Sequence, residues 1–205
     1  MIVEMRTYDL HIGAVPEYEK HFESGLAHRL QYSALGAFFH VEFGPLNRIM
    51  HFWPYENLAE RDRIRAEAAQ PGKWPPEGEE LIVAQENKIL TPAPFSPPLR
   101  PGKYGNFYEI RTYTLKPGTL PKLLQAWEVA IEERTKFSPL AFAGSVSTIG
   151  PLNQWVHIWP YESIEERTRI RAEAAKSGNW PPKTHEFLVK QESWIAVPAS
   201  YSPMH

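Results

Sequence analysis

The sequence has no cysteine in its 205 residues. This excludes disulfide frameworks and thiol chemistry, and it fits a cytoplasmic protein, which is the location we expect. Long apolar runs are also missing, since none approaches the roughly 20 residues that a membrane-spanning helix requires. The chain enters a predicted strand directly after Met1, without a charged and then apolar leader. We therefore expect no membrane partner.

The chain also lacks a large excess of charge of either sign. The net charge is −2, and lysine and arginine are spread along the chain instead of clustered, so the basic patch typical of nucleic-acid-binding proteins is missing. The chain contains no Gly-x-Ser-x-Gly elbow, P-loop or dinucleotide fingerprint, which argues against a serine nucleophile, phosphoryl transfer and hydride transfer from a nicotinamide. No HxH, HxxxH or carboxylate–histidine cluster recurs, so we expect no metal site.

What the chain does contain is an internal repeat. IMHFWPYE at 49–56 returns as WVHIWPYE at 155–162, EMRTY at 4–8 as EIRTY at 109–113, GPLN at 44–47 returns at 150–153, and RIRAEAA at 63–69 returns at 169–175. The repeat predicts two units of about a hundred residues each. Their expected bounds are 1–92 and 107–205, joined by a Pro-rich linker over 93–106.

Each unit has the pattern of a ferredoxin-like βαββαβ fold, which belongs to the α+β class. Residues 3–10 alternate between two sets of side chains as a strand does. Residues 17–31 carry apolar side chains at helical spacing. Further strands are predicted over 37–43, at the repeated motif and over 81–90, with counterparts in the second unit.

The second helix of each unit begins at a predicted capping box, Asn57-x-x-Glu60 and Ser163-x-x-Glu166. This helix is rich in arginine. The pairs Arg63–Glu67 and Arg169–Glu173 have the i,i+4 spacing of exposed ion pairs. We therefore expect a solvated face formed by the arginines at 61, 63 and 65 and at 167, 169 and 171.

The repeated strand has two different faces. Met50 and Phe52 point one way, and His51 and Trp53 the other. We expect the apolar face to pack under the helices, which leaves the histidine and tryptophan on the open face. Two such faces would close against each other as a pseudo-twofold barrel around one shared cavity. Its predicted ligand-binding lining is Glu4, Arg6, Tyr8, His51 and Trp53, with Glu109, Arg111, Tyr113, His157 and Trp159.

These residues also carry a family resemblance. The openings EMRTYDLHIG and EIRTYTLKPG, the GPLN turn, the WPYE strand end and the Arg-rich helix resemble the NIPSNAP family in both halves. The resemblance implies the dimeric α/β-barrel superfamily, with two units in one chain where many relatives use two chains. Related barrels include haem-degrading monooxygenases, cofactor-free quinone-forming monooxygenases and EthD-like proteins. Chemistry is implied only by analogy of fold, and no catalytic residue is carried over.

The arginines of the predicted cavity allow two interpretations. Arg6 and Arg111 could clamp a carboxylate or polarise a carbonyl of a ligand. They could instead form internal ion pairs with Glu4 and Glu109 that hold the barrel together, since an unpaired buried arginine is costly.

The histidines and aromatic residues also have alternative roles. His51 and His157 could act as general acid or base, as haem ligands, or as hydrogen-bonded wall residues. Tyr8 and Tyr113 could bind a substrate oxygen or serve as packing. Trp53 and Trp159 could stack on a flat ligand or plug the core, whereas Trp74 and Trp180, each followed by Pro-Pro, are expected to be structural corners.

We predict a protein that binds a small aromatic or anionic organic molecule in its barrel, with no cofactor. If it is an enzyme, these residues fit a cofactor-free oxygenase, isomerase or lyase, with His51 or His157 as acid or base. A non-catalytic assembly or scaffold protein with a filled barrel is the alternative, and haem binding is a weaker one. The expected partners are a small-molecule ligand and no nucleic acid. The chain itself would form an internal pseudo-dimer, with further self-association left open.

Overall fold

Both repeats fold into the same order of elements in a computed structural model that describes residues 1–146 and 148–205. The first repeat contains β1 (Ile2–Leu10), α1 (Val15–Arg29), β2 (Ala37–Phe43), β3 (Arg48–Tyr55), α2 (Leu58–Ala68) and β4 (Ile82–Pro92). The second contains β5 (Phe107–Leu115), α3 (Leu120–Thr135), β6 (Phe142–Val146), β7 (Gln154–Tyr161), α4 (Ile164–Lys176) and β8 (Leu188–Pro198). The predicted ferredoxin-like order is confirmed in each repeat.

The second helix of each repeat starts where the capping boxes predict. The Glu60 amide donates to Asn57 Oδ1 over 2.9 Å, and the Glu60 carboxylate accepts from the Glu56 amide over 2.6 Å. In the second repeat, the Glu166 amide donates to Ser163 Oγ over 3.1 Å. These contacts satisfy amide groups that a helix start leaves without partners. They fix α2 and α4 at equivalent places, which matters because both helices contribute arginines to the site.

The eight strands close into one antiparallel barrel in the order β1-β3-β2-β8-β5-β7-β6-β4. Each repeat supplies four neighbouring strands, and the two sheets join at β2–β8 and β4–β6. At these junctions Phe39 pairs with Pro198 and Leu90 pairs with Val146. Closure removes the open sheet edges that would otherwise invite aggregation. The predicted pseudo-twofold barrel is confirmed.

The interior of the barrel is filled with apolar side chains. One buried core contains strand residues from both repeats and no helix residue, and it includes Met50, Phe52, Val156 and Ile158, each at most 1% exposed. The prediction that these residues pack under the helices is therefore wrong. An eight-stranded barrel is just wide enough to be filled by side chains. Because polar groups buried there would need hydrogen-bond partners, the apolar face of each sheet turns inward.

The helices cover the outer face of the sheets, and the predicted polar face lies beneath them. Trp53 and Tyr8 belong to one buried cluster with Phe22 and Leu26 of α1 and Ile64 of α2. An equivalent cluster lies under α3 and α4. The shared polar cavity predicted from the sequence is therefore absent from the described part of the barrel. None of the helices described is long and apolar enough to cross a membrane.

Candidate functional site

Each repeat encloses a cavity of its own between its sheet and its helices. The first-repeat pocket has a volume of about 220 Å³, and the second-repeat pocket has a volume of about 240 Å³. All the residues that line a pocket belong to its own repeat. Because each pocket lies on the helix side of its sheet, the apolar core of the barrel separates the two.

Most of the predicted ligand-binding residues line these pockets, although not around one shared space. The first-repeat pocket is lined in part by Arg6, Tyr8, His51 and Trp53. Its second-repeat counterpart is lined in part by Arg111, Tyr113, His157 and Trp159. The predicted neighbourhood of the first and third strands explains this grouping, since Arg6 pairs with His51 across β1 and β3, and Arg111 with His157 across β5 and β7. Glu4 and Glu109 lie outside the pocket linings, within ion pairs.

Glu109 is fully buried and surrounded by arginine. Its Oε1 accepts from Arg167 Nη2 over 2.6 Å, from Arg111 Nη1 over 2.7 Å and from Ser193 Oγ over 2.7 Å. Arg171 lies 3.5 Å from Oε2. Burial alone would raise the pKa of Glu109, but the hydrogen bond from Arg167 and the charge of Arg111 outweigh it and lower the pKa to about 2.

Glu4 has the equivalent surroundings in the first repeat. Arg61 forms a close ion pair with its Oε1, while Arg6 Nη1 lies 3.4 Å from Oε1 and Arg65 Nη1 lies 3.6 Å from Oε2. The internal ion pair between Arg6 and Glu4, one of the two interpretations of Arg6, is thus present, and both residues belong to the same repeat. Three arginines around one carboxylate leave each site with an excess of positive charge.

The low pKa of Glu109 makes the stability of the protein depend on pH. Its folded-state pKa of about 2 lies below the ordinary value of 4.5 that applies to the unfolded chain. Glu109 therefore stabilises the fold fully above pH 4.5, and this contribution of about 3 kcal/mol is lost as the pH falls from 4.5 through 2. Urea unfolding at a series of pH values would measure it. In Glu109→Gln this part of the slope should disappear, and an unchanged slope would refute the assignment.

His51 and His157 are held as neutral hydrogen-bond donors. Trp53 Nε1 donates to His51 Nδ1 over 2.6 Å, and Trp159 Nε1 donates to His157 Nδ1 over 2.7 Å. Burial lowers the pKa of both imidazoles well below 6.5, and neighbouring arginines lower it further. An indole nitrogen only donates, so Nδ1 must carry no proton, and the neutral ring then carries its proton on Nε2.

This tautomer changes the role expected of the histidines. Both Nε2 atoms are buried and have no hydrogen-bond partner among the described residues. A ring whose Nδ1 already accepts a bond and whose Nε2 is protonated has no lone pair to take a proton from a substrate. We therefore assign His51 and His157 as hydrogen-bond donors, which agrees with the hydrogen-bonded wall residue considered from the sequence and does not fit the base of the predicted acid-or-base role. The same occupancy leaves no ring nitrogen free to ligate haem iron.

Two pocket residues that the sequence analysis missed are Arg29 and Arg134. Arg29 lies 4.2 Å above the ring of Trp53, and its Nη2 donates to the Tyr55 hydroxyl over 2.8 Å. Arg134 lies 4.1 Å above the ring of Trp159 in the same manner. Stacking on indole and hydrogen bonding together offset part of the cost of burying a guanidinium. The available signal was an arginine that recurs in the last turn of the first helix of each repeat.

The predictions for the Arg-rich helix and for the Trp-Pro-Pro corners also need correction. Arg63 and Arg169 form the predicted exposed pairs with their glutamates, over 2.8 and 2.9 Å. Arg65 and Arg171, however, line the pockets and are not merely part of a solvated face. Trp74 and Trp180 line the pockets too, besides forming corners of the chain.

The combined geometry fits a small anion with a flat apolar part. Each pocket presents three arginines, a histidine N–H and an aromatic wall, which includes two tyrosines in the first repeat and one in the second. The Tyr8 hydroxyl accepts from Arg6 Nε over 2.7 Å, which leaves its own proton to donate. Cavities of 220 and 240 Å³ exceed the roughly 150 Å³ that encloses benzene, so a single ring bearing a carboxylate has room. Among the residues described, no cluster of histidine and carboxylate side chains is arranged to hold a metal ion.

The NIPSNAP family profile matches residues 3–97 and 108–203, one match for each repeat. The chain belongs to the NIPSNAP family. Protein NipSnap homolog 3A of Homo sapiens is 28% identical to this NIPSNAP chain over 210 residues, which cover 98% of this chain and 85% of that protein. Protein NipSnap homolog of Dictyostelium discoideum is 30% identical over 205 residues, which cover 96% and 87%.

The NIPSNAP chain also shares its fold with solved structures from outside its sequence relatives. An anthrone oxidase-like protein aligns with a TM-score of 0.63 over 98% of this chain and 93% of that chain, at 8% sequence identity. At that identity the likeness shows the fold alone. The function of the NIPSNAP pockets therefore has to be argued from their own residues.

Proposed function

We propose that this NIPSNAP protein binds a small organic anion with a planar apolar part, one molecule in each repeat. The observation that carries the proposal is the composition of the two pockets. Each brings three arginines against walls of tryptophan and tyrosine, together with a buried histidine N–H that has no partner in the described part of the chain. An anion that accepts from these donors would satisfy groups that are costly to leave unpaired.

The arginines have different parts in this site. Arg6 already donates to Glu4 and Tyr8, and Arg29 to Tyr55 and Ser33. Arg65 approaches Glu4 only to 3.6 Å and is 37% exposed, so its guanidinium has the most freedom to meet a ligand. Arg171 has the same position in the second repeat, at 3.5 Å from Glu109 and 41% exposed. Hydrogen bonds between charged groups contribute about 1.5–3 kcal/mol each.

Replacing Arg65 and Arg171 together is expected to weaken anion binding by about 10- to 100-fold, which corresponds to the loss of one charge-assisted hydrogen bond per pocket. Calorimetric titration with sodium benzoate would measure this in the Arg65→Gln/Arg171→Gln variant. The matched control is Arg63→Gln/Arg169→Gln, because these arginines lie on the same helices and pair only with exposed glutamates. Benzoate binding that the control weakens equally, or that neither protein shows, would contradict the proposal.

A catalytic role is a second candidate, and the neutral histidines favour it. Nε2–H of His51 or His157, together with an arginine, would stabilise negative charge that develops on a substrate oxygen. This fits a cofactor-free isomerase, lyase or oxygenase in which the histidine acts as an electrophile and not as a base. For such a reaction, His157→Ala should lower turnover by about 10²–10³-fold. Turnover that survives the replacement of both histidines would end the idea.

The scaffold alternative gains support from the filled barrel, but the pockets lie outside it. In a scaffold protein, the helix faces would bind partner proteins while both pockets stay without a ligand. Saturable binding of benzoate at two sites per chain would favour ligand binding over a purely structural role.

A further inference from the structure

The two pockets differ at the helix that covers them. Phe22 and Trp127 occupy equivalent places, with ring centroids 5.3 Å from Trp74 and 5.0 Å from Trp180. Trp127 adds an indole N–H that phenylalanine lacks. This nitrogen is buried and has no hydrogen-bond partner among the described residues, and Trp127 lines the second-repeat pocket at 2% exposure. Among the described residues, the lining of the second-repeat pocket therefore has a buried donor without a partner, Trp127 Nε1, where the first-repeat lining has the apolar ring of Phe22.

The indole N–H of Trp127 lies on a ring next to His157, which carries a second donor. The ring of Trp127 is 4.7 Å from the ring of His157, whose buried Nε2 has no hydrogen bond to any residue that the structure describes. An indole nitrogen can only donate, and the histidine tautomer makes Nε2 a donor as well. The two groups together call for a ligand that offers acceptor atoms only, as a carboxylate does.

The pockets differ in charge as well. Glu79 lines the first-repeat pocket, and His185, in the equivalent short 3-10 turn, lines the second-repeat pocket. The first-repeat lining thus sets one acidic side chain against its three arginines. The second-repeat lining has three arginines and no acidic side chain. Both differences favour an anion in the second repeat.

Building on the anion binding proposed above, we infer that the second-repeat pocket is the tighter site for a ring-bearing carboxylate and that Trp127 and Glu79 set the difference between the two pockets. Trp127 strengthens the second site by donating to a carboxylate oxygen of the ligand. Glu79 weakens the first site by repelling that carboxylate. The duplicated domain thus contains two sites of unequal affinity for one class of ligand.

Indole N–H signals of the ¹⁵N-labelled full chain, which has seven tryptophans, report each pocket separately during a titration with sodium benzoate. Single Trp→Phe variants assign the signals of Trp74 and Trp180. The signal of Trp180 should move at about 10-fold lower benzoate concentration than that of Trp74, as expected for one additional hydrogen bond to a charged group. Trp127→Phe, which copies the first repeat, should bring the two affinities together.

The charge difference has its own test in the same titration. Glu79→Gln should tighten the first site by about 3-fold, a size typical of an exposed charge. The matched control Glu80→Gln removes an exposed neighbouring carboxylate that does not line the pocket, and it should have little effect. Should Trp127→Phe fail to fold, His185→Glu places the acidic residue of the first repeat in the second and should weaken that site instead.

Failure of this inference can be told apart from failure of the proposed function. Equal affinities at Trp74 and Trp180 that neither Trp127→Phe nor Glu79→Gln changes would overturn the inference, while two-site anion binding would stand. Signals that stay fixed in both repeats at all benzoate concentrations would overturn the proposed anion binding itself, and the inference with it.

Discussion

Glu109→Gln is expected to lower the free energy of unfolding at neutral pH by about 3–5 kcal/mol, the typical cost of removing one partner from a buried ion pair. The carboxylate is fully buried, and Arg111, Arg167 and Arg171 converge on it. Glutamine keeps the shape and the acceptor oxygen but not the charge. Three guanidiniums would then lie close together without the anion that offsets their repulsion and their desolvation. Urea or thermal unfolding would measure the loss.

The control for this prediction is Glu173→Gln. Glu173 also pairs with an arginine, Arg169, but its side chain is 43% exposed, and such pairs contribute only about 0–1 kcal/mol. A loss in Glu109→Gln no larger than in this control would mean that the buried carboxylate is not what holds the arginines in place. Arg111 and Arg171, which line the second-repeat pocket, would then be positioned by contacts other than those with Glu109.

Phe39→Ala is expected to destabilise the fold by about 3–5 kcal/mol while leaving benzoate binding unchanged. Phe39 is fully buried in the barrel core, where its ring lies 4.6 Å from that of Tyr108 in the other repeat. Its removal leaves a void that the closed strands cannot collapse around. Because the pockets lie on the opposite faces of the sheets, their walls should stay in place.

Phe43→Ala is the matched substitution, since Phe43 lies on the same strand but is 60% exposed. Unfolding and calorimetric titration of both variants would separate stability from binding. Weakened benzoate binding in Phe39→Ala, with a small effect in Phe43→Ala, would place the ligand inside the barrel. This outcome would restore the shared cavity that the sequence suggested.

The sequence predicts much of this fold because the same pattern of elements occurs in both repeats. The recurrence of the WPYE motif, the capping boxes and the opening strand gives the order of elements in each repeat, and the order gives the neighbourhood of Arg6 and His51. Strand alternation shows which side chains share a face but not which face turns inward. In this barrel both faces are buried, one against the other repeat and one against the helices. Apolarity alone therefore could not assign them.

The site was harder to predict for a related reason. The sequence predicts an ion pair between Glu4 and Arg6. Arg61 and Arg65 of α2 complete the surroundings of Glu4, although the pattern of that helix predicts that both face solvent. Arg63 follows that pattern and Arg65 does not, although they are two residues apart on one helix. The role of His51 depended on the direction of a hydrogen bond from Trp53, which spacing along the chain does not encode.

The residues that line each pocket belong to one repeat, although Tyr201 of the second repeat stacks on Phe22, which lines the first-repeat pocket. A substitution in the wall of one pocket leaves the wall of the other intact. The two pockets can therefore hold different side chains, as Phe22 and Trp127 or Glu79 and His185 do, without a change in the shared barrel. Both repeats build the barrel core together, so the pockets are where the two halves of this chain can differ in the ligand they prefer.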